Sequence, residues 1–127
     1  MISDEKLATS AAVKNESTGS GQAPSVHVRN ATLADLDGLV ELEAICFDSD
    51  RLSRRSFREL IDGPTSACRV AVDGGKVVGY ALMLFRSGTG LARLYSIAVH
   101  PGQRRTGLGA RLLEDAEACA FAHDRVI

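Results

Sequence analysis

Few cysteines, no surplus of charge of either sign and no long apolar run set the first limits on this chain. The three cysteines, Cys46, Cys68 and Cys119, are odd in number, far apart and without Cys-x-x-Cys spacing. That pattern indicates neither a disulfide framework nor a metal site. Lysine and arginine (15) nearly balance aspartate and glutamate (16), a formal net charge of -1, so no global field favours nucleic acid or an anionic membrane. No stretch approaches the roughly twenty apolar residues that span a bilayer. The N-terminus carries Asp4 and Glu5 and has no apolar core for a signal peptide. The expectation is a cytoplasmic protein with no metal, nucleic-acid or membrane partner.

What is present is enough for one modest core: 127 residues, 45% of them hydrophobic, make a single domain at most. Residues 1–25 are polar, rich in Ser, Gly, Ala, Asn and Thr, and cannot offset the entropy of ordering, so they read as a disordered tail. Residues 26–127 read as the domain. Val26-His27-Val28-Arg29 alternates as a half-buried strand does. Thr32 suits an N-cap, with Asp35 in the first turn and Leu33, Leu36, Leu39, Val40 and Phe47 on one helical stripe. Ser53 can cap a second short helix through Phe57, Leu60 and Ile61, ended by Gly63-Pro64. Cys68-Arg69-Val70-Ala71-Val72 and the run of residues 76–85 are strands joined at Asp73-Gly74-Gly75, where glycine supplies positive φ for a hairpin. Ser87-Gly88-Thr89-Gly90 is the next turn, and Leu91 starts the following strand.

The stretch Leu94-Tyr95-Ser96-Ile97-Ala98-Val99-His100-Pro101-Gly102-Gln103-Arg104-Arg105-Thr106-Gly107-Leu108-Gly109-Ala110 carries the chemistry. A buried strand is stopped by Pro101-Gly102, and a helix is expected to begin near Thr106, with Leu108, Leu112, Leu113, Ala116, Cys119 and Ala120 on its inner face. The first N–H groups of a helix lack intrahelical partners and sit at the positive end of its dipole. Gly107 and Gly109 let phosphate oxygens approach them, and Arg104 and Arg105 add charge, so the segment fits a pyrophosphate. Two other phosphate motifs are excluded. A P-loop needs a lysine after its second glycine, and a dinucleotide fingerprint needs a third glycine where Leu112 stands.

Arg104-Arg105-Thr106-Gly107-Leu108-Gly109 resembles the Arg/Gln-x-x-Gly-x-Gly/Ala motif of the GNAT family of N-acetyltransferases. The likeness extends upstream through Tyr95 to Pro101, similar to that family's fourth strand, and downstream through Arg111-Leu112-Leu113-Glu114, similar to its third helix. Within the family the Ile97-Ala98-Val99 strand and the segment from Cys46-Phe47 to Phe57 are most similar to the ribosomal-protein alanine N-acetyltransferases. The resemblance implies an α/β fold, a mixed and mostly antiparallel sheet flanked by helices in the order β-α-α-β-β-β-α-β. Arg125-Val126-Ile127 would start the fifth strand, so the domain is expected to be incomplete at its C-terminus.

It also implies acetyl coenzyme A as cosubstrate, with the pyrophosphate on residues 105–110 (Arg105, Thr106, Gly107, Leu108, Gly109, Ala110) beside Arg104. The pantetheine arm would run along Ile97, Ala98 and Val99, and Ala98 or Val99 would offer the N–H that polarises the thioester carbonyl. The acceptor would be a primary amine, on a protein N-terminus, a lysine or a small molecule. Glu41, Glu43, Asp48 and Asp50 near the acceptor side could attract a cationic amine, although a solvated helix face explains them more simply. The family's catalytic tyrosine and its base have no counterpart before Ile127. Tyr80 and Tyr95 read as packing residues, and Cys46 or Cys68 as an acyl-carrying nucleophile lacks an adjacent base. Two other readings remain open: a noncatalytic acyl-CoA-binding or sensing module, and an inactive fragment. One substitution tests the cradle directly. Gly107→Glu puts a side chain and a negative charge where the pyrophosphate is expected, and calorimetry should show acetyl coenzyme A binding severely weakened; unchanged affinity would mean the cradle lies elsewhere.

Overall fold

The computed structural model describes residues 26–86 and 88–127; the tail expected over residues 1–25, and Ser87 of the expected turn, lie outside them. The described chain runs β1 (Val26–Asn30), α1 (Leu36–Cys46), α2 (Arg54–Asp62), β2 (Ser66–Asp73), β3 (Lys76–Phe85), β4 (Ala92–Val99) and α3 (Leu108–Ala122). The strands form one sheet in the order β1-β2-β3-β4, antiparallel at every step. The order of elements is the expected one. The expected fifth strand begins as a single parallel bridge between Leu91 and Val126, in which the Ala92 N–H donates to Val126 O at 2.8 Å. No helix among the described residues is long and apolar enough to cross a membrane.

Alternation along the strands divides the core between two faces. On one, Ala71, Ala81, Met83, Ile97 and Val99 pack against Leu108, Leu112, Ala116 and Ala120 of α3. On the other, Val70, Tyr80, Leu82 and Ala98 meet Leu36, Leu39 and Leu42 of α1 and Phe57 of α2. The α3 stripe repeats every four residues, which keeps one helical face on the sheet. Fully burying a leucine contributes roughly 1.5–3 kcal/mol, whereas a part-exposed hydrogen-bonded ion pair adds about 1 kcal/mol. The stripe therefore holds α3 down. Arg69, which reaches Asp115 of α3 at 2.7 and 3.0 Å, fixes how the helix is rotated. α3 also comes close: a Cβ on Gly79 of β3 would lie 2.9 Å from Leu112 Cδ1 and 3.2 Å from Ala98 O.

Local chemistry sets the element ends. At the β2–β3 turn Asp73 pairs with Lys76, and Gly74 and Gly75 between them have φ of 58° and 85°, as a hairpin turn with both central residues left-handed requires. Ser53 caps α2 by accepting the Ser56 N–H at 3.1 Å. Two expectations need correction. α1 starts at Leu36, after a 3-10 turn over Leu33–Asp35, so Leu33 points outward and is 42% exposed. Phe47 leaves the helix in extended conformation yet is buried. The 3-10 turn exists because Asp35 folds back, accepting the Thr32 N–H at 2.7 Å and the Arg29 guanidinium twice at 2.9 Å.

The Arg29 hydrogen bonds hold the Asp35 carboxyl below the usual carboxylate range, against the opposing effect of burial and with help from Thr32. A depressed folded value stabilises the fold fully above the unfolded value of about 3.9, and that stability is lost as pH falls through the folded one. Urea unfolding of Asp35→Asn should therefore show a shallower loss of stability below about pH 4 than wild type, with parallel curves above it. Equal acid slopes would mean the pair does not link protons to folding.

Candidate cofactor cradle and the cleft beside it

The cradle is assembled between the end of β4 and the first turn of α3. His100 leaves the strand and its Nδ1 accepts the Gly102 N–H at 2.9 Å, while Pro101–Gln103 forms a 3-10 turn. Gln103 is tied outward and inward: its Nε2 donates to Asp73 Oδ2 at 3.1 Å, and its carbonyl accepts the Thr106 hydroxyl at 2.7 Å. Gly107 then takes the left-handed conformation, φ 79° and ψ 10°, which a residue with a Cβ adopts only under strain. The helix starts at Leu108, two residues later than expected, because Thr106 closes onto Gln103 and does not enter the helix.

This arrangement leaves donors without acceptors. Among the described residues the N–H groups of Gly107, Leu108, Gly109 and Ala110 make no well-formed backbone hydrogen bond, and the first of the helix is Arg111 N–H to Gly107 O at 3.1 Å. Arg104 Nε is buried with no hydrogen-bond partner. A buried unpaired donor is costly, and main-chain donors at a helix start with an arginine on the preceding turn fit a phosphate group. Arg105 and Ala110 are exposed, Arg104, Thr106 and Gly107 half-buried, Leu108 and Gly109 buried.

Ile97, Ala98 and Val99 lead straight into the cradle, with their side chains buried. Their backbones differ in direction. His100 N–H donates to Val78 O at 2.8 Å, and Tyr80 pairs with Ala98 and Gly79 with Val99. In an antiparallel ladder the hydrogen-bonded positions alternate, so Ala98 shares the bonded side with His100, while Ile97 and Val99 turn their N–H and C=O groups away from β3. Of the two residues expected to offer an N–H to a thioester, Ala98 is committed to the ladder. β4 also carries a bulge: Met83 pairs with Leu94 and Leu82 with Ser96, so Tyr95 is the extra residue. Beside this strand end lies the C-terminus of α1, where the Cys46 thiol donates to Val99 O at 3.4 Å.

Of the acidic residues considered for amine attraction, Glu41, Asp48 and Asp50 are exposed, but Glu43 is only 1% exposed. It accepts the Tyr80 hydroxyl at 2.6 Å and the Leu52 N–H at 2.7 Å. Tyr80 is buried against Phe57 in an edge-to-face pair. Burial first, and the Glu43 charge second, hold its hydroxyl proton well beyond the usual tyrosine range. Burial, reinforced by Asp35, pushes the Cys68 thiol up to about 12, which removes it as a nucleophile at neutral pH. Gln103, Asp73 and Glu43 were not singled out for these positions from sequence. Glu43 carried a signal: it stands seven residues after Leu36, on the apolar stripe of its own helix.

Residues 36–127 match the profile of the acetyltransferase (GNAT) family. No characterised protein matches significantly by sequence. Solved structures do match by fold. The ribosomal-protein-S18-alanine N-acetyltransferase from Escherichia coli superposes with a TM-score of 0.66 at 22% identity over 77% of this chain and 61% of that one. A GNAT-like decarboxylase in complex with isobutyryl-CoA gives 0.64 at 24%, over 72% and 57%. An N-acetyltransferase from Thermoplasma acidophilum in complex with coenzyme A gives 0.68 at 16%, over 78% and 74%. The chain thus spans less than two thirds of the first two.

Arg104→Met keeps the length and packing of the side chain and deletes the orphaned donor. Thermal melting should be no lower than wild type, while affinity for inorganic pyrophosphate, read by calorimetry, should fall at least tenfold, about 1.4 kcal/mol. A lower melting temperature with unchanged affinity would make Arg104 a structural residue.

Proposed function

The chain belongs to the acetyltransferase (GNAT) family, and we propose that it moves an acetyl group from acetyl coenzyme A directly to a primary amine. The observation that carries the reading is the set of unpaired donors at the start of α3, the N–H groups of residues 107–110 with the buried Arg104 Nε. A pyrophosphate on these groups satisfies them, and the helix dipole adds to the attraction. Arg105, exposed on the same turn, contributes charge. The outward backbone of Ile97 and Val99 offers a pantetheine arm the partners that a further strand would use.

When bound, the thioester supplies an activated acetyl carbonyl. An outward N–H of Ile97 or Val99 is the donor placed to stabilise the negative charge that develops on its oxygen. The attacking amine must be neutral, so a base takes its proton and an acid protonates the departing thiolate. Neither role is assigned to a residue of this chain. The acceptor is a primary amine of a protein N-terminus, a lysine side chain or a small molecule, and the compartment we favour is the cytoplasm. A second reading, a noncatalytic acyl-CoA-binding module, draws on the state of Tyr80, whose hydroxyl is locked between Glu43 and Ser96 and is no proton donor.

Calorimetric titration with acetyl coenzyme A, coenzyme A and dephosphorylated pantetheine tests the reading. The two nucleotides should bind with similar affinity and pantetheine at least a hundredfold more weakly. Equal binding of pantetheine, or no binding by a cooperatively folded protein, would overturn it.

A further inference from the structure

Taking a carboxylate out of water is expensive, and packed apolar residues of the same volume are often at least as stable. Glu43 is 1% exposed, and Tyr80 and Ser96 beside it are fully buried, so stability alone gives no reason for a polar chain here. Its connections do. Glu43 Oε1 accepts the Tyr80 hydroxyl at 2.6 Å, and that hydroxyl meets Ser96 Oγ at 2.8 Å. Glu43 Oε2 accepts the Leu52 N–H at 2.7 Å. One carboxylate therefore joins β4 to the loop that follows α1.

The first element is the β4 bulge. Ser96 directly follows the extra residue Tyr95 and directly precedes Ile97. A bulge leaves one residue unpaired and bends the strand locally; beyond it Ile97 and Val99 keep their register with β3 and turn their N–H groups outward. The side chain of Ser96, held on the α1 face by Tyr80, pins β4 between the unpaired residue and Ile97. The second element is the loop of residues 47–53, which leaves α1 beside the same strand end, where Cys46 reaches Val99 O at 3.4 Å. Leu52 is held in that loop by its N–H.

We propose that Glu43 is a positioning residue for acyl transfer: through Tyr80 and Ser96 it anchors β4 between the bulge and the outward-facing Ile97, and through Leu52 it holds the 47–53 loop beside the same strand end. The role rests on the reading of that strand end as the thioester site. It accounts for why both carboxylate oxygens are occupied and why the chain ends in a serine on β4. A glutamine can keep both ties. Its oxygen accepts the Leu52 N–H, its amide donates to the Tyr80 oxygen, and the tyrosine then donates to Ser96. A leucine keeps neither.

The test compares wild type with E43L/Y80F/S96A, S96A and E43Q by thermal melting, ¹⁵N relaxation and titration with coenzyme A and with inorganic pyrophosphate. The triple variant should melt no lower than wild type, while order parameters at Leu52 and at Tyr95 to Ile97 fall from about 0.85 to below about 0.6. Its affinity for inorganic pyrophosphate, which touches only the cradle, should stay within twofold, since the cradle lies outside the chain of hydrogen bonds. E43Q should keep wild-type order parameters at all of these amides. If the triple variant does not melt cooperatively, S96A decides, because it spares Glu43, Tyr80 and Leu52: loss of order confined to residues 95–97 supports the proposal. Wild-type order in the triple variant or in S96A overturns the anchoring. Failure of coenzyme A to bind wild-type protein counts against the functional reading alone.

Discussion

The first N–H groups of a helix have no intrahelical partners, so the position of a helix start has to be fixed by other contacts. In this protein that constraint is the contact between α3 and the sheet, where Leu112 lies so near Gly79 that a single methyl group would collide with it. The apolar stripe from Leu108 to Ala120 is tight enough to hold the helix without its terminal bonds, and the Arg69–Asp115 pair prevents it from rolling. Everything proposed for the cradle depends on this: the start of α3 keeps its place through the packing behind it. The cost of the orphaned groups is borne by the core.

The two faces of the sheet solve different problems. The α3 face is apolar from Val26 to Ala120 and supplies rigidity. The α1 and α2 face contains the buried Glu43, Tyr80 and Ser96 among its leucines and phenylalanines, a less economical core that specifies register more narrowly than apolar contacts do. That contrast agrees with fold alone being a weak guide to chemistry. The solved structures with this fold include both N-acetyltransferases and a decarboxylase, so the fold alone does not fix the reaction.

Much of the architecture was legible in the sequence because it rests on local signals. The 73–75 hairpin, the Ser53 cap and the period-four stripe of α3 each follow from residue types at short spacing. The misreadings arise where a side chain bonds across several residues. Leu33 fits the α1 period, but Asp35 accepts from both Thr32 and Arg29 and tightens that turn so that Leu33 faces out. α3 starts after Thr106 because Gln103 captures the threonine. At the candidate site the glycines and arginines of residues 104–110 were readable as a motif, whereas the direction of the Ile97, Ala98 and Val99 backbones was not. That direction is set by register with β3, which no local pattern announces.

Hairpin tips are ordinarily the places where a chain accepts insertions, since little depends on them. The β2–β3 tip is an exception. Asp73, the residue from which the turn departs, is moored to Gln103, and Gln103 in turn shapes the loop that ends at Gly107. Lengthening the Gly74-Gly75 turn would slacken that mooring from outside the site. Among descendants of this sequence, variation in hairpin length should therefore be more restricted than the exposure of the tip suggests, and the restriction would come from the neighbouring loop, with the hairpin's own stability playing little part.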